Sequence, residues 1–470
     1  MDRLSSSERV HAGRLPPLVD VPVILTVRRP DDGGMFEGDE RERLALLRRC
    51  AGDGFAYVDL EEGLEAPALE ASLKEAGTRT IRSLHDLTGV PSDFGLRLDR
   101  ISQRPDEIPK AAVTPRSSAD LARVLRVIMD RRGKSPDAGG SQMLVLGMGA
   151  IGFPTRVLAS KLGAAWCYAS PASDMAAPGH VDPATLEDLY RFRSIGPDTA
   201  VFGVMGDPVM HSRSPFIHNR GFDACGLDAV FLPFQVTDLE GFWQVADLLG
   251  VRGLSVTVPH KSAVLRRLSG SDALVRATGA CNTMTRAEAP GGWQGTNTDV
   301  AGFAGPLRDA FGGTVPRGLA ATVIGAGGAA RSVVHALSGF GGRILVLNRT
   351  PDHARAVAEP AGASFGGLDE AGFKAARKFA DLVVQTTKVG MDPAADRDPA
   401  PDLSFSGMEI VYELIYAPRV TPFLGRALKA GCKVIYGKQM LISQAMEQFR
   451  LFSGRPYPFE SLTGLEEGID

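Results

Sequence analysis

The chain has few cysteines, and none is placed for cross-linking or metal binding. Five occur in 470 residues (Cys50, Cys167, Cys225, Cys281 and Cys432), far apart and with no CxxC pair. Neither a disulfide framework nor a zinc site is indicated, no metal is expected, and a reducing cytoplasm is the expected compartment. No run approaches the roughly 18 apolar residues of a membrane span, so no membrane partner is expected. The opening segment MDRLSSSERVHAGRLPPLVD lacks the apolar core of a secretory signal. Neither sign of charge prevails: Lys plus Arg is 52, Asp plus Glu is 55, and the net charge is −3. Dedicated nucleic-acid binders carry a basic excess, so no nucleic-acid partner is expected. There is no internal repeat, long low-complexity run or like-charge tail.

What is present is a globular composition, 44% hydrophobic and 23% charged. The length suits roughly three domains at about 150 residues each. Residues 1–20 are polar and proline-bearing and read as a flexible tail. Six strand candidates follow, at 21–27, 55–60, 78–84, 108–113, 143–146 and 164–169, separated by helical stretches such as SADLARVLRVIMDRRG. That alternation predicts parallel βα units. The pattern restarts with a strand at 200–204, and RAEAPGGW predicts a hairpin turn or surface loop. A third block has a strand at 321–324, a glycine cluster, a helix over 329–337 and a strand at 343–347. Near the end, QMLISQAMEQFRLF predicts an amphipathic helix with Met440, Leu441, Ala445, Phe449 and Leu451 on its apolar side.

The segment VIGAGGAARSVVHAL places Gly325, Gly327 and Gly328, with Ala326 and Ala329, between a strand and a helix. Glycines there let the backbone approach a pyrophosphate, which the free amides and the positive helix end then hold. The next strand ends in Asn348, Arg349 and Thr350, where an NAD site would carry a carboxylate. A guanidinium with two small polar groups suits a 2′-phosphate, so NADP is the expected cofactor.

Three clusters precede this block: GDPVMHSRSPFIHN, SVTVPHK, and the pair GACNT and GTNTD. Ser212 and Ser214 alternate on one side of an extended segment and could hold a carboxylate. Lys261 and Asp299 could form an acid–base pair for a carbinol oxygen. Asn282, Asn297 and Thr257 are neutral groups suited to a polyol. Together with ELIYAPRVTPFL and YGKQMLISQA, these motifs closely resemble shikimate dehydrogenase from about residue 201 onward. The resemblance implies a substrate-binding α/β domain followed by a Rossmann domain, with final helices returning to the first. It implies that Ser212, Ser214 and Tyr416 bind the substrate carboxylate. Thr257, Asn282, Asp299, Lys261 and Gln444 would bind the ring hydroxyls, with Lys261 and Asp299 catalytic. Gly437 and Met440 would lie beside the nicotinamide. The implied reaction is reversible hydride transfer between NADPH and 3-dehydroshikimate. Four positions depart from the family pattern: Ser255, Gln385, Lys388 and Glu413. A dehydrogenase acting on quinate with NAD is a competing reading, against which Ser212, Ser214 and Asn348–Arg349–Thr350 stand.

The first half carries Arg28 in ILTVRRPDDGG, His85 in TIRSLHDL, Lys110 in DEIPKAAV and Arg156 in VLGMGAIGFPTRVL. A lysine amid apolar surface loses proton affinity and can act as a nucleophilic amine. His85 could shuttle protons for it, and Arg28 and Arg156 could hold a carboxylate. This set, with the APG before His180, resembles type I 3-dehydroquinate dehydratase, a (β/α)8 barrel. The resemblance implies a Schiff base on Lys110, general acid–base catalysis by His85 and carboxylate binding by Arg156. The chain begins at what corresponds to the family's third strand, so an incomplete barrel of about six strands with two open edges is expected. His180 stands where the family has Gln. The expected domains are therefore a truncated barrel (21–197), a substrate domain (198–310), a Rossmann domain (311–425) and C-terminal helices (426–470). The first half could be a working dehydratase, making the protein bifunctional. It could instead be a non-catalytic interaction module, and its open edge could serve homo-oligomerisation.

Overall fold

The computed structural model describes residues 3–104, 106–132, 143–171, 179–287 and 292–458. The chain separates into two compact units: Met1–Thr199 with Phe234–Leu249, and Ala200–Pro233 with Gly250–Asp470. Residues 234–249, expected in the substrate domain, join the first unit through helix Leu239–Leu248. This helix packs on helix Ser118–Arg132, where Asp238 accepts from the Ala119 amide at 3.3 Å. Gly241 permits the approach, since a Cβ there would stand 2.2 Å from the Ala119 nitrogen.

In the first unit, β1 (Ile24–Thr26), β2 (Tyr57–Glu61), β3 (Arg79–Asp86), β4 (Ile108–Val113) and β5 (Leu144–Gly147) form one parallel sheet in sequence order. Intervening helices cover one face. Helix Glu40–Cys50, for example, starts at an Asp39–Glu42 capping box and buries Leu47 and Cys50. Leu47, Leu69 and Leu73 pack there against Leu25, Val27, Val58 and Leu60. Period-two alternation sends the other residues to the concave face: Ile24, Tyr57, Ile81, Ile108 and Leu144 as an apolar layer, then Asp59, Ser83 and Lys110, then His85.

Three expectations for this unit change. The sheet has five strands, not six. Ala164 makes one parallel bridge to Met143, and the chain then turns the Trp166 and Tyr168 rings onto the concave apolar layer instead of extending the ladder. The first strand is shorter than 21–27, because Pro22 has no amide to donate. The expected flexible tail carries helical turns at Ser6–Arg9, Ala12–Arg14 and Pro16–Leu18. It is tied down by the Arg9 guanidinium over the Phe36 ring (5.1 Å) and by Arg49 donating to the Arg9 carbonyl (3.1 Å).

The second unit holds two further sheets. β6 (Ala200–Gly206), β7 (Ala229–Gln235), β8 (Val251–Val256), β9 (Gly270–Ser271), β10 (Thr283–Arg286) and β11 (Trp293–Thr296) lie in the order β7-β6-β8-β10-β11-β9. β10 and β11 are the expected hairpin, whose tip at 288–291 lies outside the described residues. The other sheet is wholly parallel: β12 (Ala320–Ile324), β13 (Arg343–Asn348), β14 (Ser364–Gly367), β15 (Leu382–Gln385), β16 (Ile410–Glu413) and β17 (Lys433–Ile435), ordered β14-β13-β12-β15-β16-β17. This is the doubly wound dinucleotide-binding order, reversing at β12. β17 extends that domain past residue 425. The last helix, Gly437–Ser453, buries Met440, Ala445 and Phe449 as expected, along with Gln444 and Gln448. No helix among the described residues is long and apolar enough to cross a membrane.

Two candidate active sites

In the second unit, Lys261 follows β8 and Asp299 opens helix Asp299–Ala310. Lys261 Nζ donates to Asp299 Oδ2 at 2.5 Å, with 16% and 6% of the two side chains exposed. Asn282 Nδ2 donates to the other carboxylate oxygen at 2.7 Å and to Thr298 Oγ1 at 2.9 Å. Gln444 Oε1 takes a longer contact from Asn282, at 3.4 Å. Thr257 is half-buried behind β8. Ser214 begins helix Ser214–Ala224, and its amide donates to Ser212 Oγ at 3.2 Å. The Tyr416 phenol lies beside Ser212, and burial raises its pKa. Asn282 and Gln444 thus join the lysine–carboxylate pair in one hydrogen-bonded wall, and Ser212, Ser214 and Tyr416 form a second polar cluster.

The glycine loop adjoins this wall. A Cβ on Gly328 would stand 3.1 Å from Lys261 Cβ, so the lysine stem packs on the start of helix Gly328–Gly339. Gly325 sits at φ 111°, a conformation that favours glycine. No side chain caps the helix, and no atom lies within 4 Å of a Cβ built on Gly327. Free amides over open space fit a dinucleotide pyrophosphate. Asn348, with Nδ2 donating to the Thr350 carbonyl at 3.0 Å, and exposed Arg349 and Thr350 close the end of β13. Ala326 and Ala329 are half-buried beside the glycines.

In the first unit, Lys110 Nζ donates to Asp59 Oδ2 at 2.6 Å, with 5% and 3% of the side chains exposed. Arg28 Nη2 reaches the same oxygen at 3.3 Å. Burial opposes ionisation of Asp59, but Lys110 and Arg28 outweigh it and hold the carboxyl well below its usual range. Burial lowers the Lys110 pKa, Asp59 opposes the shift, and Arg28 adds to it. Burial, then Arg28 and Lys110, drive His85 down to about 3, so its imidazole is neutral. Arg156 is buried, and its Nη1 donates to the Tyr168 carbonyl at 3.4 Å. His180 pairs through Nδ1 with Ser170 Oγ. Burial and the charge of Arg156 lower its pKa to about 4. A cavity of about 600 Å³ opens on Ser83 and His85. Of the arginines that line it, Arg29 and Arg97 are engaged by Asp32 and Glu62.

Among the described residues, buried polar atoms without a hydrogen-bond partner include Arg28 Nε, His85 Nδ1, Arg156 Nε, Trp166 Nε1 and Tyr168 Oη, on residues that act on Lys110 or adjoin Tyr168. A folded core satisfies such groups, so a cluster of them marks where a polar ligand's atoms belong.

The sequence profile of the type I 3-dehydroquinase family matches residues 4–197, and that of the shikimate dehydrogenase substrate binding domain matches residues 204–284. A chloroplastic bifunctional 3-dehydroquinate dehydratase/shikimate dehydrogenase from Arabidopsis thaliana is 32% identical over 463 residues, 94% of this chain and 74% of the relative. The chain belongs to the bifunctional dehydroquinate dehydratase/shikimate dehydrogenase family. An NADP(+) shikimate dehydrogenase from Moorella thermoacetica is 39% identical over 269 residues, 55% of this chain and 90% of that one. The crystal structure of the Thermus thermophilus shikimate 5-dehydrogenase, in complex with NADP(H) and shikimate, is similar with a TM-score of 0.51 and 33% identity, covering 58% of this chain and all of that one.

Most residues expected at each site are brought together in the dehydratase and dehydrogenase domains, with some changes of role. Asn297 is turned away from the polyol wall: its amide donates to Thr278 Oγ1, the Ala280 carbonyl and Ser332 Oγ at 2.9–3.0 Å, and its oxygen accepts from the Asp299 amide. Met440 joins the Rossmann core, and Gly437 allows close approach of the Ile415 carbonyl. Three of the four departures are absorbed structurally. Ser255 donates to Gln448 at 2.8 Å. Gln385 pins the loop after β15 through the Thr387 and Val389 carbonyls. Glu413 accepts from Thr421 and the Ile415 amide, and burial pushes its pKa to about 7. Lys388 is exposed. In the dehydratase domain, Ala177 and Pro178 of the APG motif lie outside the described residues. Three residues were missed there: Asp59, Trp166 and Tyr168. Asp59 carried a signal, a carboxylate in the buried-type strand YVDLE. The two aromatics lie in a segment whose composition resembles a strand.

Proposed function

We propose that the protein is a bifunctional enzyme that dehydrates 3-dehydroquinate at Lys110 and reduces the product, 3-dehydroshikimate, with NADPH at Lys261 and Asp299. The observation that carries the first activity is the buried amine, depressed in pKa, beside residues with unpartnered polar atoms. Deprotonated Lys110 attacks the ketone carbon, water leaves, and an imine forms. Its positive charge acidifies the adjacent C–H bond. His85, neutral at physiological pH, takes that proton. The proton then passes to the departing ring hydroxyl, which leaves as water, and hydrolysis of the imine frees Lys110. Arg28 and Arg156 hold the substrate carboxylate.

In the dehydrogenase domain, Ser212, Ser214 and Tyr416 hold the carboxylate, and Thr257, Asn282 and Gln444 hold the hydroxyls. Gly325, Gly327 and Gly328 would hold the pyrophosphate of NADPH, and Asn348, Arg349 and Thr350 its 2′-phosphate; when bound, the cofactor supplies hydride. Lys261 donates a proton to the carbonyl oxygen, and Asp299 and Asn282 orient it. The chain's own residues thus favour NADP, as do the names of its relatives.

The test is NADPH oxidation with each substrate in parallel. Oxidation with both 3-dehydroshikimate and 3-dehydroquinate is expected. Lys110→Ala should abolish only the second signal. Oxidation with 3-dehydroshikimate alone would leave the dehydratase domain catalytically silent. Oxidation with neither would refute the dehydrogenase assignment, on which the second signal also depends.

A further inference from the structure

The open barrel leaves the Lys110 site with strands from one side, and two aromatic residues stand on another. Trp166 and Tyr168 follow the single bridge at Ala164 and pack onto the layer of Ile24, Tyr57, Ile81, Ile108 and Leu144. The Trp166 ring lies 5.3 Å from that of Tyr57. The Tyr168 ring lies over Lys110 Nζ, 4.7 Å from nitrogen to centroid. Its carbonyl accepts from Arg156, so the residue is held at both ends. Packing and the face-on cation account for the ring.

They do not account for the hydroxyl. Tyr168 Oη is buried without a hydrogen-bond partner among the described residues, and the indole N–H of Trp166 favours the phenolate without reaching hydrogen-bond geometry. Burial, and then the Asp59 carboxylate, raise the phenol's pKa, so it is protonated and a donor. A buried unpaired hydroxyl is unfavourable, and phenylalanine would fill the same space without that penalty. The charges of Asp59 and Arg28 both act on the hydroxyl, and Arg28 Nε and Trp166 Nε1 are likewise unsatisfied. That placement is explained if a ligand oxygen completes it.

We propose that Tyr168 is a specificity-determining residue of the dehydratase site. Its ring covers the Lys110 amine. Its hydroxyl donates a hydrogen bond to an oxygen of the bound cyclic hydroxy acid. The proposal rests on the dehydratase reading above. It separates the two parts of the side chain. The ring faces the nitrogen that becomes the positively charged imine, so it acts after binding. The hydroxyl acts in binding.

The experiment uses the full chain with 3-dehydroquinate, reading steady-state kinetics and the borohydride-trapped adduct mass on Lys110. Tyr168→Phe keeps the ring and should raise KM roughly tenfold, the worth of one hydrogen bond, with kcat and adduct yield at saturation little changed. Tyr168→Leu removes the ring and should lower kcat and adduct yield. Urea denaturation of the full chain, compared with wild type, reports folding in both. If Tyr168→Phe matches wild type in KM while wild type forms the adduct, the hydroxyl role is refuted and the dehydratase reading stands. If wild type forms no adduct and does not dehydrate, that reading fails and takes this proposal with it. Should Tyr168→Leu fail to fold, the Tyr168→Phe KM still decides the hydroxyl role.

Discussion

Asp59 offers a quantitative handle on the dehydratase site. Its carboxylate lies 2.6 Å from Lys110 Nζ, and both groups are buried. Of the influences on the amine, Asp59 opposes the downward shift, against burial and Arg28. Opposite charges about 4 Å apart attract by about 4 kcal/mol at an effective dielectric of 20. At about 1.4 kcal/mol per pKa unit, loss of the carboxylate should lower the Lys110 pKa by roughly two to three units. Asp59→Asn keeps the shape and removes the charge. The assay is the pH dependence of imine formation, trapped with borohydride under single-turnover conditions. The alkaline rise in trapping rate, which reports free amine, should move to lower pH by roughly two units. Reduction of 3-dehydroshikimate should be unchanged, because Lys261 and Asp299 lie in the other unit. A profile that stays in place while the variant folds would show that Asp59 does not set the amine's protonation. Turnover should still fall in Asp59→Asn, because the carboxylate also fixes the direction of the nitrogen.

Other predictions follow from the same geometry. Arg349→Ala should raise KM for NADPH roughly tenfold or more and leave NADH use unchanged, as read from paired steady-state assays. An unchanged NADPH/NADH ratio would remove Arg349 from phosphate binding. Asn297→Ala should lower stability by about 2–3 kcal/mol through its severed bonds to Thr278, Ala280 and Ser332, measured by urea denaturation. A raised substrate KM without lost stability would return Asn297 to the polyol wall. Burial holds His218 near pKa 3, against an opposing influence of Gln448, and neither ring nitrogen has a hydrogen-bond partner among the described residues. Its imidazole stacks on Phe231, with ring centroids 4.3 Å apart. The unfolded chain takes up this proton near pH 6.5, so stability present above that pH is lost as pH falls toward 3. The loss is about 2 kcal/mol by pH 5. His218→Leu should remove that component, and equal acid sensitivity in variant and wild type would count against it.

The dehydrogenase half was legible in detail because its chemistry sits in short motifs. Gly325, Gly327 and Gly328 occupy one turn, and Lys261 lies at the end of SVTVPHK, so local spacing carries the geometry. The roles of Asn297 and Ser255 were not legible. Their amide and hydroxyl find Ser332 and Gln448, 35 and 193 residues away, and no local pattern records such a partner. In the dehydratase half, Lys110, His85, Arg28 and Arg156 were readable from the strands that carry them. Asp59 becomes a partner of Lys110 only when β2 and β4 stand on either side of β3.

By itself, the sequence determined the order of the two families' segments, the parallel βα character of both ends, the glycine loop between β12 and its helix, and which residues are candidates for each site. Backbone propensity, period-two alternation and glycine's conformational freedom act over a few residues. Tertiary structure decided where the first sheet stops and what fills its concave face. The segment at 164–169 has the composition of a strand, but a strand needs a free edge at the right register. Once Ala164 had made its one bridge, the rings of Trp166 and Tyr168 found apolar surface on the layer built by Ile24, Tyr57, Ile81, Ile108 and Leu144. Burying two aromatic rings outweighed extending the ladder, and the balance depended on five strands that are distant in sequence.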